Sequence, residues 1–255
     1  MAKHIVLIHG AFCGGWCFAD IMPVFAERGF SCEAPDLPFH APGPKRKPAP
    51  ELARQSIADY TRDMAEFVKR LPEPPVIVGH SMGGLIGQQL AAQGLASALV
   101  LFAPAPPWGV LPSTETEMNL AKGLMQASPF WDKALNPSFE VAKGDSLASL
   151  DLQAQKRIFD MFSPESGRAL FELFFWMFDR RRAIAVDEAS VTCPVLVVAG
   201  AEDKVISPIT CRKVAALYGN ATFEEAAGRG HFLIMEPGAV QLAAHCADWL
   251  AKVSN

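Results

Sequence analysis

No apolar run in this chain reaches the length of a membrane-spanning helix. No surplus of positive charge is present either. The 23 basic residues are outnumbered by 27 acidic ones, a formal net charge of −4. That balance argues against nucleic acid or an anionic membrane as the partner. Cysteine is sparse, and six in 255 residues do not make a disulfide scaffold. Cys13 and Cys17 are close in sequence, but no second metal-type pair accompanies them. They read with the other four as small, mostly buried thiols, and no metal is expected. No internal repeat is visible. The opening Met1-Ala2-Lys3-His4 leads straight into a strand without a signal-peptide core, so the cytoplasm is the expected compartment.

Half of the residues are hydrophobic, enough for one sizeable core in a chain of this length. The early pattern alternates: strand 4–9, helix 15–28, strand 30–35, helix 53–70, strand 75–80, helix 83–93 and strand 98–103. Alternation of this kind predicts a mostly parallel sheet flanked by helices, an α/β architecture. Residues 40–50 read as a proline-rich surface loop carrying the basic cluster Lys45-Arg46-Lys47. From 104 to 190 the alternation stops, and the segment is rich in Phe and Trp with no convincing buried strand. It reads as a mostly helical insertion. Its run Ala169–Phe178 is apolar nearly all round, so it should be buried on several sides or face a ligand cavity. Arg180-Arg181-Arg182 reads as a solvated helix end. The pattern then resumes in 191–255.

The chemistry-bearing stretch is Gly79-His80-Ser81-Met82-Gly83. It follows the apolar run Pro75–Val78 and precedes a helix-forming segment. A strand, a sharp G-x-S-x-G turn and a helix together hold a serine in a strained conformation with its hydroxyl exposed above the sheet end. Serine is a poor nucleophile unless a base takes its proton and a third group orients that base. An acid lies just past the buried-strand pattern Cys193–Gly200, either Glu202 or Asp203. Asp36, after the second strand, reads instead as a structural loop residue. A histidine, His231, lies on the glycine-rich loop Gly228-Arg229-Gly230 after the last strand. His9 and His80 sit on backbone segments whose job is geometry, so packing or hydrogen bonding is their expected role. His40 and His245 have no site context.

Negative charge that builds on a carbonyl oxygen during acyl transfer needs preorganised N–H donors. The residue after the serine, Met82, supplies one. The loop His9-Gly10-Ala11-Phe12 after the first strand supplies the other, with Ala11 the first choice and Phe12 the near alternative. The Phe12 side chain is expected to line an acyl pocket.

Four segments, HGAFCGGW at 9–16, GHSMGG at 79–84, GAEDKV at 200–205 and GRGHFLIMEP at 228–237, span almost the whole chain. In order and spacing they resemble the α/β-hydrolase-fold serine hydrolases. The first segment is similar to the small esterase and hydroxynitrile-lyase branch. The resemblance implies an α/β-hydrolase fold, core 1–103 and 191–255, with 104–190 as a helical cap over the site. It selects Asp203 as the acid and so implies a triad of Ser81, Asp203 and His231. In the lyases a lysine follows the histidine. Phe232 stands there in this chain, which argues against lyase activity.

The expected reaction is cofactor-free ester hydrolysis through an acyl-serine, on a small-molecule ester with an apolar acyl or alcohol part. Phe12, Trp108 and Phe232 are the expected substrate contacts. The same triad also serves thioesters, lysophospholipids, lactones and carbon–carbon bond hydrolysis, and the fold does not separate these. A small-molecule receptor with vestigial turnover is the alternative of another class. A homodimer is compatible with the sequence.

Overall fold

The computed structural model describes residues 3–40, 47–126 and 128–253. Residues 41–46 of the expected proline-rich loop, Lys45 and Arg46 included, lie outside the described residues. The first part of the chain forms β1 (His4–Ile8), α1 (Met22–Ala26), β2 (Ser31–Glu33), α2 (Ile57–Val68), β3 (Val76–His80), α3 (Met82–Ala92) and β4 (Ala98–Phe102). Then follow α4 (Glu115–Gln126), β5 (Ala134–Leu135), α5 (Phe139–Gly144), α6 (Leu152–Phe159), β6 (Glu165–Ser166) and α7 (Gly167–Phe174). The chain ends in β7 (Val195–Gly200), α8 (Pro208–Ala215), β8 (Ala221–Ala226) and α9 (Ala239–Val253).

Six of these strands make one sheet in the order β2-β1-β3-β4-β7-β8, and every pairing in it is parallel. Side chains alternate across a strand, so each central strand serves two cores. Ile5 and Leu7 of β1, Val76 and Val78 of β3, and Leu196 and Val198 of β7 face the layer that holds Phe25 of α1 and Leu250 of α9. Val6, Ile8, Ile77, Val195 and Val197 face the other way, toward Ile57 of α2, Leu85 of α3 and Val214 of α8. Burying a side chain of this size stabilises by about 1.5–3 kcal/mol relative to exposure.

Sheet order also locates the crevice. The chain leaves β1 toward β2 on one side and returns to place β3 on the other. Loops leaving the carboxyl ends of β1 and β3 therefore diverge, and ligands bind at such a switch point in open α/β sheets. His9-Gly10-Ala11 leaves β1 there, and Ser81 leaves β3 there.

Local chemistry adjusts several expected boundaries. The helix expected over 15–28 is instead a 3-10 turn at Gly15–Phe18 and the short α1, which starts with Pro23 in its first turn. Proline tolerates a helix start but not an interior position, so the two pieces stay separate. The helix expected over 53–70 starts at Ile57. Ser56 caps it by accepting from the Asp59 N–H at 3.1 Å, and the Asp59 carboxylate accepts the Ser56 N–H at 3.0 Å. The apolar run 169–178 is not one buried helix. It breaks after Phe174 into a 3-10 turn, and Met177 and Phe178 stand 52% and 69% exposed. Between β4 and β7 the helices are joined by a two-residue antiparallel ladder of β5 with β6, which the periodicity did not signal.

Candidate active site

Ser81 lies between β3 and α3 with φ +53° and ψ −120°. That is left-handed backbone a side chain rarely adopts, at a cost on the order of 1–3 kcal/mol. The surroundings over-determine it. The Ser81 N–H donates to the Phe102 carbonyl at 3.0 Å, and its carbonyl accepts from Gly84 at 2.9 Å and Ala105 at 2.8 Å. The glycine spacing is steric at Gly83, where a Cβ would run into the Ile8 carbonyl. A Cβ on Gly10 would stand 2.9 Å from that of Ser81. Strand β1, the serine turn and α3 thus approach as closely as backbone allows.

Two distant loops deliver the partners. His231 Nε2 lies 3.1 Å from Ser81 Oγ, and His231 Nδ1 lies 2.8 Å from Asp203 Oδ2. Both side chains are almost wholly buried. The other Asp203 oxygen accepts the N–H groups of Val205 at 2.7 Å and Ile206 at 3.0 Å. Glu202, the neighbouring candidate acid, points to solvent. The histidine loop is itself held. His80 Nε2 donates to the His231 carbonyl at 2.8 Å, and Glu236 accepts the Gly230 N–H at 2.8 Å while receiving the Ser149 hydroxyl at 2.6 Å. Burial and the nearby His231 push His80 down to about 3, so it is a neutral donor whose Nδ1 has no partner among the described residues.

Opposite the serine, no protein acceptor among the described residues takes the backbone N–H of Ala11 or of Met82. Met82 opens α3, where a first-turn N–H has no intrahelical partner. Phe12 differs, because its N–H donates to Glu165 Oε2 at 3.2 Å. Of the two donors the sequence left open, Ala11 is the free one. His9 supports this loop as a neutral imidazole, with Nδ1 donating to the Gly10 carbonyl and Nε2 accepting the Leu37 N–H, each at 2.9 Å. Burial and the neighbouring His40 hold it down at about 3. Asp36 accepts the Gly15 N–H at 2.7 Å, a stitch between loops in keeping with a structural role.

Sequence reasoning missed Glu165 and left His40 without a role. Both are fully buried. The Glu165 carboxylate receives His40 Nε2 at 2.9 Å, the Tyr60 hydroxyl at 2.9 Å and the Ser166 N–H at 2.7 Å, besides Phe12. Against desolvation, the His40 charge and these donors hold the Glu165 carboxyl below its usual range. Against the same desolvation, Glu165 raises His40.

The expected substrate contacts fare differently. Phe12 is partly buried, at φ +64°. Trp108 is half-buried: the Trp176 ring lies 4.9 Å away and the Arg182 guanidinium 5.2 Å over its face. Arg180, Arg181 and Arg182 are all exposed, as expected of a solvated cluster, and Arg182 reaches the Trp108 ring from the surface. Phe232 is 3% exposed, stacked on Phe162, tilted against His80 and edge-on to His231, so it packs the core beside the histidine. Burial also pushes the thiols up, Cys32 and Cys193 to about 11. Among the described residues, no cluster of His, Cys, Asp or Glu could hold a metal ion, and no helix is long and apolar enough to cross a membrane.

A parallel sheet ending in a strained serine turn, with a histidine and a buried aspartate folded in beside it, defines the class of α/β hydrolases. The chain belongs to the alpha/beta hydrolase family, whose model matches residues 5–244. It is 33% identical over 113 residues to a pyrethroid hydrolase of Sphingobium wenxiniae, a match covering 43% of this chain and 39% of that protein. It is 35% identical over 85 residues to methyl jasmonate esterase 1 of Vitis vinifera, covering 32% and 31%. These matches thus span only about a third of the relatives' lengths. A methylesterase from Arabidopsis superposes with a TM-score of 0.73 at 16% identity, over 98% of this chain and 100% of that one, a likeness of fold.

Proposed function

We propose that this protein hydrolyses carboxylic esters with an apolar acyl or alcohol part through an acyl-serine intermediate. The observation that carries the reading is the hydrogen-bonded series Ser81–His231–Asp203 behind a serine at φ +53°. His231 Nε2 takes the Ser81 proton as Oγ attacks the carbonyl carbon. The Ala11 and Met82 N–H groups hold the oxyanion. Collapse breaks the ester bond, and the His231 proton goes to the leaving alkoxide. Water then gives its proton to Nε2, attacks the acyl-serine and releases the acid, and the proton returns to Ser81. Asp203 keeps the imidazole proton on Nδ1 and stabilises the charged ring. No step calls for a metal or an organic cofactor.

In this reading 104–190 is a cap, and its aromatic and methionine content favours an apolar substrate. The pyrethroid hydrolase and methyl jasmonate esterase among the similar proteins support an ester as substrate. The test is hydrolysis of p-nitrophenyl esters of increasing acyl length by wild type and Ser81→Ala. Turnover that falls on the order of 10⁶-fold in the variant supports the reading. Equal rates in the two proteins overturn it.

A further inference from the structure

The Glu165–His40 pair is buried without exposure on either side. Such pairs add little stability over well-packed apolar residues, because desolvation offsets the attraction. What the pair holds is therefore informative. Glu165 Oε2 receives the Phe12 N–H at 3.2 Å. Two residues earlier, the Ser163 N–H donates to the Phe12 carbonyl at 2.8 Å, and the Ser163 hydroxyl donates to the Cys13 carbonyl at 3.2 Å. Segment 163–165 of the insertion thus grips the loop after β1 at three backbone groups. The gripped residue is at φ +64°, which a phenylalanine does not hold without help. The Ala11–Phe12 peptide meets the Gly10–Ala11 peptide, which carries the Ala11 N–H, at the Ala11 Cα, so holding the one limits the torsions open to the other. If this peptide turned over, it would present the Ala11 carbonyl to the carboxylate, which repels it.

We propose that Glu165, backed by His40 and Tyr60, is a positioning residue that aims the Ala11 N–H at the oxyanion. The inference rests on the hydrolase reading above. Glu165 does not touch substrate. It acts through Phe12 on a donor whose value comes from being set before the reaction begins. An amide at 165 turns one oxygen into an NH₂ group, which cannot accept from Phe12 or His40 on that side. An aspartate keeps the charge but withdraws it by a methylene.

The experiment compares wild type, Ser81→Ala, Glu165→Gln, Glu165→Asp and Glu172→Gln on one p-nitrophenyl ester. Inhibition by a trifluoromethyl ketone, which mimics the tetrahedral intermediate, and Tm are measured alongside. Glu172 is a matched control. It is an equally buried carboxylate of the insertion that accepts Ile57 N–H at 2.8 Å and Arg168 Nε at 2.6 Å, away from the loop after β1. The expected result for Glu165→Gln is a kcat loss of about 100-fold with KM within about twofold, the scale of one lost oxyanion donor. Ketone affinity should fall by a similar factor. Glu165→Asp should show the same pattern, smaller, and serves if the glutamine variant does not fold. Glu172→Gln should lower Tm and leave kcat per folded enzyme unchanged. Glu165 variants that lower Tm but keep kcat and ketone affinity overturn the proposal, as does an equal kcat loss in Glu172→Gln. If wild type shows no Ser81-dependent turnover, the hydrolase reading fails and the positioning role falls with it. If that turnover is present, unaltered Glu165 variants overturn the positioning role alone.

Discussion

Asp203 holds His231 through one oxygen, Oδ2 at 2.8 Å from Nδ1, while its other oxygen is committed to two backbone N–H groups. This division of labour fixes what an amide would do at 203. The Asn oxygen would face the Val205 and Ile206 N–H groups, and its NH₂ would face Nδ1. His231 would then carry its proton on Nε2, toward Ser81, and could not take the serine proton. Asp203→Asn should lower kcat by about 10⁴-fold while the fold is kept. Steady-state kinetics with circular dichroism checks this; a loss below tenfold would count against the aspartate's role.

The serine conformation carries a stability cost that a glycine would relieve. At φ +53° and ψ −120°, glycine is the residue best accommodated. Ser81→Gly should abolish turnover and stabilise by about 1 kcal/mol, the strain relieved less the extra backbone entropy glycine loses on folding. In a chain of this size that is a Tm rise of about 2–4 °C. Calorimetry showing a lower Tm would mean the hydroxyl contributes more to stability than the strain removes.

Two other glycines should respond in opposite directions to alanine. Gly83→Ala puts a methyl group into the Ile8 carbonyl and should destabilise by roughly 3 kcal/mol or more. Gly123 lies within α4 with nothing near its added Cβ, so Gly123→Ala should stabilise by up to about 1 kcal/mol. Urea denaturation of both variants reads the contrast directly.

Acid should unfold this protein from mild pH. His9 and His80 stay neutral in the fold down to about 3, whereas in the unfolded chain they take protons below about 6.5. Between these values the unfolded state binds more protons, so stability falls as pH falls. The slope is on the order of 1 kcal/mol per pH unit for each histidine. His40 has the opposite sign. Its value is raised in the fold, so its contribution is complete below about 6.5 and is lost as pH climbs through the raised value. Glu165 is lowered, so its contribution is complete above its unfolded value and is lost as pH falls through the lowered one. Urea unfolding from pH 4.5 to 8 should show stability dropping on the acid side. His80→Gln, which keeps a donor for the His231 carbonyl, should remove about half of that histidine slope.

Much of the architecture was readable because its causes are local. Val76–His80 is a strand, Gly79 and Gly83 permit the close turn, and Met82–Ala92 is a helix. Each follows from neighbours a few residues away. The parallel sheet followed from the alternation, since both faces of every central strand must be covered. The same local logic put Ser81, an acid at 202–203 and His231 on loops that leave strand ends.

Other features were decided only when distant segments met. The local pattern left Glu202 and Asp203 with equal claims and the family resemblance alone chose Asp203; in the fold Asp203 is buried against His231 while Glu202 is exposed. Packing made Phe232 a core residue and set Trp176 and Arg182 against the half-buried Trp108. Glu165 sits in Ser163-Pro164-Glu165-Ser166, which has no periodicity and looks like any polar turn. Its meaning comes from His40, 125 residues away, and from Phe12, 153 residues away. A hydrogen bond to a backbone N–H leaves no mark on the residue that owns the N–H. The sequence alone therefore determined where a reactive serine could be held. Only the tertiary structure decided which buried charges hold the loop that faces it, because that is a property of contacts no local pattern encodes.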